Sequence, residues 1–152
     1  MDLTLVIGIA EIVGGIAIVG SLIYVGLQVD QNTRVARASA NQAVTEQMRE
    51  ATTLLIADPG LLALVKKGEQ DPEALSEAEW DRFVEFVGLR FVSFETTYYS
   101  NQKGLLDAEM FDAWDNYFRT LIKMPGYVAA YRRNPEGFMK SFANYIETLI
   151  ED

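Results

Sequence analysis

The chain has 152 residues, a net charge of −9, no Cys and no His. That composition excludes disulfides, zinc–thiolate sites, haem–His ligation, Ser-His-Asp or Cys-His catalysis and the Glu-x-x-His pair of ferritin-like di-iron centres, so no metal or cofactor is expected from this chain alone. All 13 basic residues lie beyond Asp30 beside 19 acidic ones, leaving that part at −6, which argues against a nucleic-acid surface and against charge-driven attachment to anionic lipid.

The first element is an apolar run from Leu3 to Leu27, broken by one charge, Glu11. As a helix it is roughly 37 Å long, enough to cross a hydrocarbon core of about 30 Å. A carboxylate inside such a run is costly unless it is partnered or faces a polar path. Met1-Asp2 lacks the basic start of a signal peptide, and the run is about twice the usual length of its apolar region. Ala38-Ser39-Ala40 resembles a cleavage site, but Arg34 and Arg37 intervene. The expectation is a retained transmembrane helix over 1–29. Arg34, Arg37 and Arg49 follow it closely, so the positive-inside rule puts the N-terminus outside and the C-terminal domain in the cytoplasm. Tyr24 then serves as an aromatic anchor near the inner interface, beside Gln28.

Helical spacing puts Gly8, Glu11, Gly15, Leu22 and Gly26 on one side of the run. Ala10, Gly14, Ala17 and Ser21 fall on the adjacent side. Small residues at three- and four-residue intervals let helices approach closely in lipid, although such residues are common in membrane helices generally. A packing face on a single span needs other copies of itself or a heterologous membrane protein. In a homo-oligomer the Glu11 side chains converge, either as a hydrogen-bonded clasp or as the lining of a polar path.

Between Gln31 and Ala57 the residues Ala40, Val44, Met48, Ala51 and Leu55 recur at helical spacing. No Gly or Pro separates Leu27 from Asp58, so a stalk helix over 30–58 continues the span. Asp30-Gln31-Asn32-Thr33 is the place where a break is expected, because short polar side chains compete for backbone hydrogen bonds. Asp58-Pro59-Gly60 ends the stalk, and residues 59–152 are read as a cytoplasmic helical bundle.

Within the bundle, a short helix over Leu61 to Lys67 stops at Gly68. The acidic stretch Glu69-Gln70-Asp71-Pro72-Glu73 lacks the order of a calcium loop and reads as a solvated turn, with Pro72 opening one helical turn. Ser76 with Glu79 forms a capping box and Leu75 with Trp80 a hydrophobic staple, opening a helix that runs to about Gln102 and ends at Gly104. That helix is apolar almost all round and belongs at the centre of a bundle or at an oligomer contact. Glu95, among Phe91, Val92, Phe94, Tyr98 and Tyr99, reads as a buried carboxylate. Either it is satisfied in the core, with Arg90, Arg119 or Arg132 as partner, or it marks a ligand or proton site. Asp107 caps a helix carrying Phe111, Trp114, Phe118, Leu121 and Ile122. Met124-Pro125-Gly126 breaks it, a short helix spans about Tyr127 to Arg133, and Pro135 opens a last helix with Phe138, Phe142, Tyr145, Ile146 and Leu149 as its stripe. No stretch alternates with period two, so the fold class is all-α.

Two groups of residues resemble a group of small bacterial membrane proteins. They are Glu11-Ile12-Val13-Gly14-Gly15-Ile16-Ala17 with Ser21-Leu22-Ile23-Tyr24 and Gln31-Asn32-Thr33, and Phe94-Glu95, Tyr98-Tyr99, Gly104-Leu105-Leu106-Asp107 and Trp114. The resemblance implies a bacterial source, one N-terminal span and weight on Glu11 and Glu95. It implies no activity. Three functions are compatible with the residues. They are a non-enzymatic homo-oligomer acting as a scaffold or assembly subunit, an ion- or proton-conducting oligomer lined by Glu11, and a monomeric anchor whose bundle binds lipid or a small ligand. Catalysis is not expected: acidic pairs such as Glu109 and Asp112 are ordinary solvated faces, and Gly14-Gly15 lacks the strand and Lys of a phosphate loop.

Overall fold

The computed structural model describes residues 2–151. Six α-helices follow one another: α1 (Leu3–Ala57), α2 (Pro59–Gln70), α3 (Glu77–Gln102), α4 (Ala108–Ile122), α5 (Pro125–Arg133) and α6 (Lys140–Glu151). Single 3₁₀ turns occupy Pro72–Ala74 and Pro135–Gly137. Among the described residues there is no strand, so the fold is all-α.

Helix α1 does not break at Asp30-Gln31-Asn32-Thr33. The polar side chains there stay within the helix. Thr33 donates to the Val29 carbonyl at 2.8 Å, and Arg34 pairs with Asp30 at 2.9 Å. An i,i+4 pair supports a helix by a few tenths of a kcal/mol, which removes the reason for a break.

The chain forms two compact units, Met1–Ala38 and Ser39–Asp152. The second unit takes in residues 39–58, which the sequence assigns to a stalk. Val44, Met48 and Ala51, the apolar stripe expected of a stalk, are buried. Met48 and Ala51 join the main core cluster. Asn41 accepts from the Asp107 N–H at 3.4 Å, tying this part of α1 to the start of α4.

The remaining helix starts follow their local chemistry. Asp58 accepts from the Leu61 N–H at 3.0 Å, with Pro59 in the first turn of α2. Ser76 and Glu79 make the reciprocal capping box of α3, a signature that satisfies two otherwise orphaned donors. Gly104, at φ +66°, reverses the chain after α3, a conformation that costs glycine nothing. Asp107 caps α4. Pro125 takes the first turn of α5, two residues ahead of the expected start. Pro135 opens only a 3₁₀ turn, and α6 begins at Lys140, so the expected last helix is shortened at its N-terminal end.

The core of the C-terminal unit is aromatic. Phe91 lies within 6.1 Å, ring centre to ring centre, of Phe118, Tyr127, Tyr131 and Phe138. Phe118 also packs on Phe94 and Phe142. Such ring pairs add to the free energy of burying their area. Gly68 does not end α2, which continues to Gln70. It is buried where α2 meets α5, and a Cβ on it would lie 2.6 Å from the Phe83 ring and 2.9 Å from Leu75. A Cβ on Gly126 would lie 2.0 Å from the Gly68 carbonyl oxygen and 2.8 Å from Phe83.

Gly126→Ala is therefore expected to cost at least about 2 kcal/mol in urea unfolding, since backbone must move to admit the methyl. Gly88→Ala, where a Cβ meets nothing within 4 Å, is expected to gain about 0.5–1 kcal/mol from helix propensity. Equal stability of the two variants would contradict the close α2–α5 approach.

Candidate functional site

In the N-terminal unit, α1 is long and apolar enough to cross a membrane, and its most apolar stretch has no residue buried by the chain. Ile12, Ile16 and Leu22 are each about two-thirds exposed. At 100° per residue, Gly8, Glu11, Gly15, Leu22 and Gly26 share an arc of about 60°. Ala10, Gly14, Ala17 and Ser21 occupy a neighbouring arc of about the same width. Ile9, Ile12, Ile16, Val19 and Ile23 lie on the far side. The stretch from Leu3 to Leu27 thus carries its one charge, Glu11, and four of its five glycines, Gly8, Gly14, Gly15 and Gly26, on one half of the helix, with Ile7, Ile18 and Val25 between the two arcs and Gly20 on the isoleucine side.

Five glycines lie in this segment: Gly8, Gly14, Gly15, Gly20 and Gly26. A Cβ on any of them would meet nothing within 4 Å. None has a positive φ. In a helix interior each glycine costs close to 1 kcal/mol relative to alanine. The fold of a single chain gives no reason for any of them. The polar side chains nearby bond within the helix: Ser21 donates to the Ala17 carbonyl at 2.9 Å, and Gln28 donates to the Tyr24 hydroxyl at 3.1 Å.

The C-terminal unit places Glu95 differently from the expectation. It is half-buried, not buried, and accepts from the Met139 backbone N–H at 2.6 Å. Met139 immediately precedes α6, so Glu95 satisfies an amide at that helix start. The three arginines proposed for it bond elsewhere: Arg90 to the Tyr117 hydroxyl, Arg119 to Asp115 and Arg132 to Glu147.

Two polar arrangements went unread in the sequence. Asp115 on α4 accepts from the Tyr145 hydroxyl of α6 and from Arg119 Nε at 2.7 Å. Arg119 also donates to Tyr145 at 3.0 Å. The second is Arg90, only 7% exposed. It lies in the buried stripe Phe83, Phe86, Val87, Phe91, Phe94 of α3. Its spacing from Phe83, Phe86 and Phe94 was the available signal, since three- and four-residue steps put it on the core side. Among the described residues no group of three or more acidic side chains is arranged to hold a metal ion.

Burial lifts three phenols above the ordinary tyrosine value. Tyr131 is pushed up to about 12, first by burial and then by the neighbouring Glu147. Tyr127 is raised by burial against the opposing charge of Arg90. Tyr145 is raised by burial and by the Asp115 carboxylate that accepts its hydrogen bond. Comparisons with protein-family models, with curated proteins and with solved structures give no match.

A group whose folded pKa exceeds its unfolded value of about 10 contributes stability that is complete below pH 10 and lost as pH rises through the folded value. The bundle is therefore expected to keep constant stability to about pH 9 and to lose it steeply above about pH 10. Absorbance at 295 nm should show part of the tyrosine signal appearing only with unfolding. Full tyrosine ionisation in a folded chain would contradict this arrangement.

Proposed function

We propose that this chain is a non-enzymatic, membrane-anchored homo-oligomeric protein that serves as a scaffold or subunit of a membrane assembly. Residues 3–29 form the anchor, and the helical unit that starts at Ser39 lies on the cytoplasmic side of a bacterial inner membrane. The observation that carries this reading is the set of five α1 glycines that the single chain does not need. Four of these glycines, Gly8, Gly14, Gly15 and Gly26, share the half of the helix that holds Ala17, Ser21 and Glu11, and glycines without an internal reason there suit a surface where another helix backbone approaches closely.

Glu11 supports the same reading. On a lone lipid-facing helix a carboxylate is expensive. In a self-associated bundle of helices the small-residue side turns inward and takes Glu11 with it, where the side chains hydrogen-bond one another. The β-branched side, with Ile12, Ile16, Val19 and Ile23, is left facing lipid. Ser21 suits this setting, because its hydroxyl is already satisfied by its own helix. The C-terminal flank supports the orientation: Arg34 and Arg37 follow the segment closely.

Light scattering of the protein in a mild non-ionic detergent is expected to give a multiple of the 17.0 kDa chain mass. Gly15→Leu and Glu11→Leu are each expected to weaken that multimer by about tenfold or more, through lost backbone approach and lost hydrogen bonding. Ile12→Leu, on the bulky side, should leave it intact. A monomeric wild type, or a multimer unchanged in both variants, would remove this reading.

A further inference from the structure

We infer that the C-terminal unit carries a binding site for a small monocarboxylate with an apolar body, built around Arg90. This is independent of how α1 associates. The site is a cavity of about 180 Å³ between the bundle part of α1, α3 and α4. Met48 and Ala51 come from α1, Arg90 and Phe94 from α3, and Trp114 and Tyr117 from α4.

The argument rests on an unbalanced charge. Arg90 is 7% exposed and keeps its full positive charge at any pH the protein meets. Buried charges are normally paired. Among the described residues no carboxylate lies within ion-pair distance of this guanidinium. Its single hydrogen bond goes from Nη1 to the Tyr117 hydroxyl at 2.5 Å. The Phe86 and Tyr117 rings give it cation–π contacts at 5.2 and 5.8 Å. The Nε–H is buried with no acceptor. Glu69 on α2 acts on Arg90 only through space. A guanidinium has five donors in a planar fork that matches a carboxylate. The Tyr127 hydroxyl, itself buried without a partner, is a close neighbour of this guanidinium, so at least three of the five donors are left without a side-chain or backbone acceptor among the described residues.

The rest of the lining sets the ligand class. Met48, Ala51, Phe94 and Trp114 offer an apolar wall. A cavity of about 150 Å³ holds a benzene-sized body, so this one fits six or seven carbons, with more room towards its open side. A carboxylate on Arg90 and Tyr117 with a short hydrocarbon against Met48 and Phe94 satisfies both halves. An inorganic anion leaves the apolar wall uncovered, and a neutral alcohol leaves the charge unpaired. The acidic surface of the chain works against anions at long range, so selection must come from these contacts at short range.

The test uses the full chain in phosphatidylcholine nanodiscs on a Trp80→Phe background, leaving Trp114 as the single indole. Hexanoate is expected to change its fluorescence saturably, with hexanol and inorganic phosphate each at least about tenfold weaker, the scale of a charge-assisted hydrogen bond. Arg90→Met is expected to lose hexanoate by a similar factor. Ala51→Leu, which fills the cavity and keeps the charge, should do the same, and it keeps the question open to test if Arg90→Met does not fold. No saturable response to hexanoate, equal affinity for hexanol or phosphate, or hexanoate binding retained in a folded Ala51→Leu protein would overturn the assignment.

Discussion

One constraint governs the N-terminal unit: an apolar helix that its own chain does not cover. Burying apolar area is worth about 25 cal/mol per Å², and no side chain from Ile9 to Leu27 is buried by the fold of one chain. On the proposed reading, lipid and neighbouring helices supply the apolar medium that covers this segment. The backbone needs nothing further, since an α-helix satisfies its own amides and carbonyls. The glycines and Glu11 then become intelligible together, because both are costs that a close helix contact offsets.

The C-terminal unit solves the opposite problem. It encloses rings tightly enough that α2 and α5 meet through two glycines, and it stitches its helices with charges at the rim. Arg82 pairs with Asp58, Arg133 with Asp81 and Arg132 with Glu147. Exposed pairs of this kind contribute little each. The stability lies in the ring contacts around Phe91 and Phe118. Arg90 stands out against this, a cation inside the ring cluster with no carboxylate within ion-pair distance among the described residues.

Much of this organisation was legible from local signals. Ser76 with Glu79, Asp107 and Gly104 marked α3 and α4 closely, because caps are set by a few neighbouring atoms. The apolar spacing of Val44, Met48 and Ala51 was readable, but not its partner. A stripe says that a helix face is covered and does not say by what, so a stalk and a bundle helix look alike. Glu95 shows the same limit. Its aromatic neighbours suggested burial and an arginine, whereas the acceptor was needed by a backbone amide at Met139, which no side-chain pattern reveals. The Asp115–Arg119–Tyr145 contact joins residues 30 apart and depends on how α4 crosses α6. Arg90 was legible in part: its position in the buried stripe of α3 was there to be read, while its lack of a counter-ion depends on every helix around it.

The most direct test of the membrane reading exploits the absence of cysteine. Single-cysteine variants Asp2→Cys and Gln70→Cys, expressed in bacteria, are exposed to a membrane-impermeant maleimide before and after lysis. Labelling of Asp2→Cys on intact spheroplasts, with Gln70→Cys reacting only after lysis, is the result that a crossing helix with a cytoplasmic bundle predicts. Labelling of both positions from the same side, or recovery of the chain without its first residues, would contradict it.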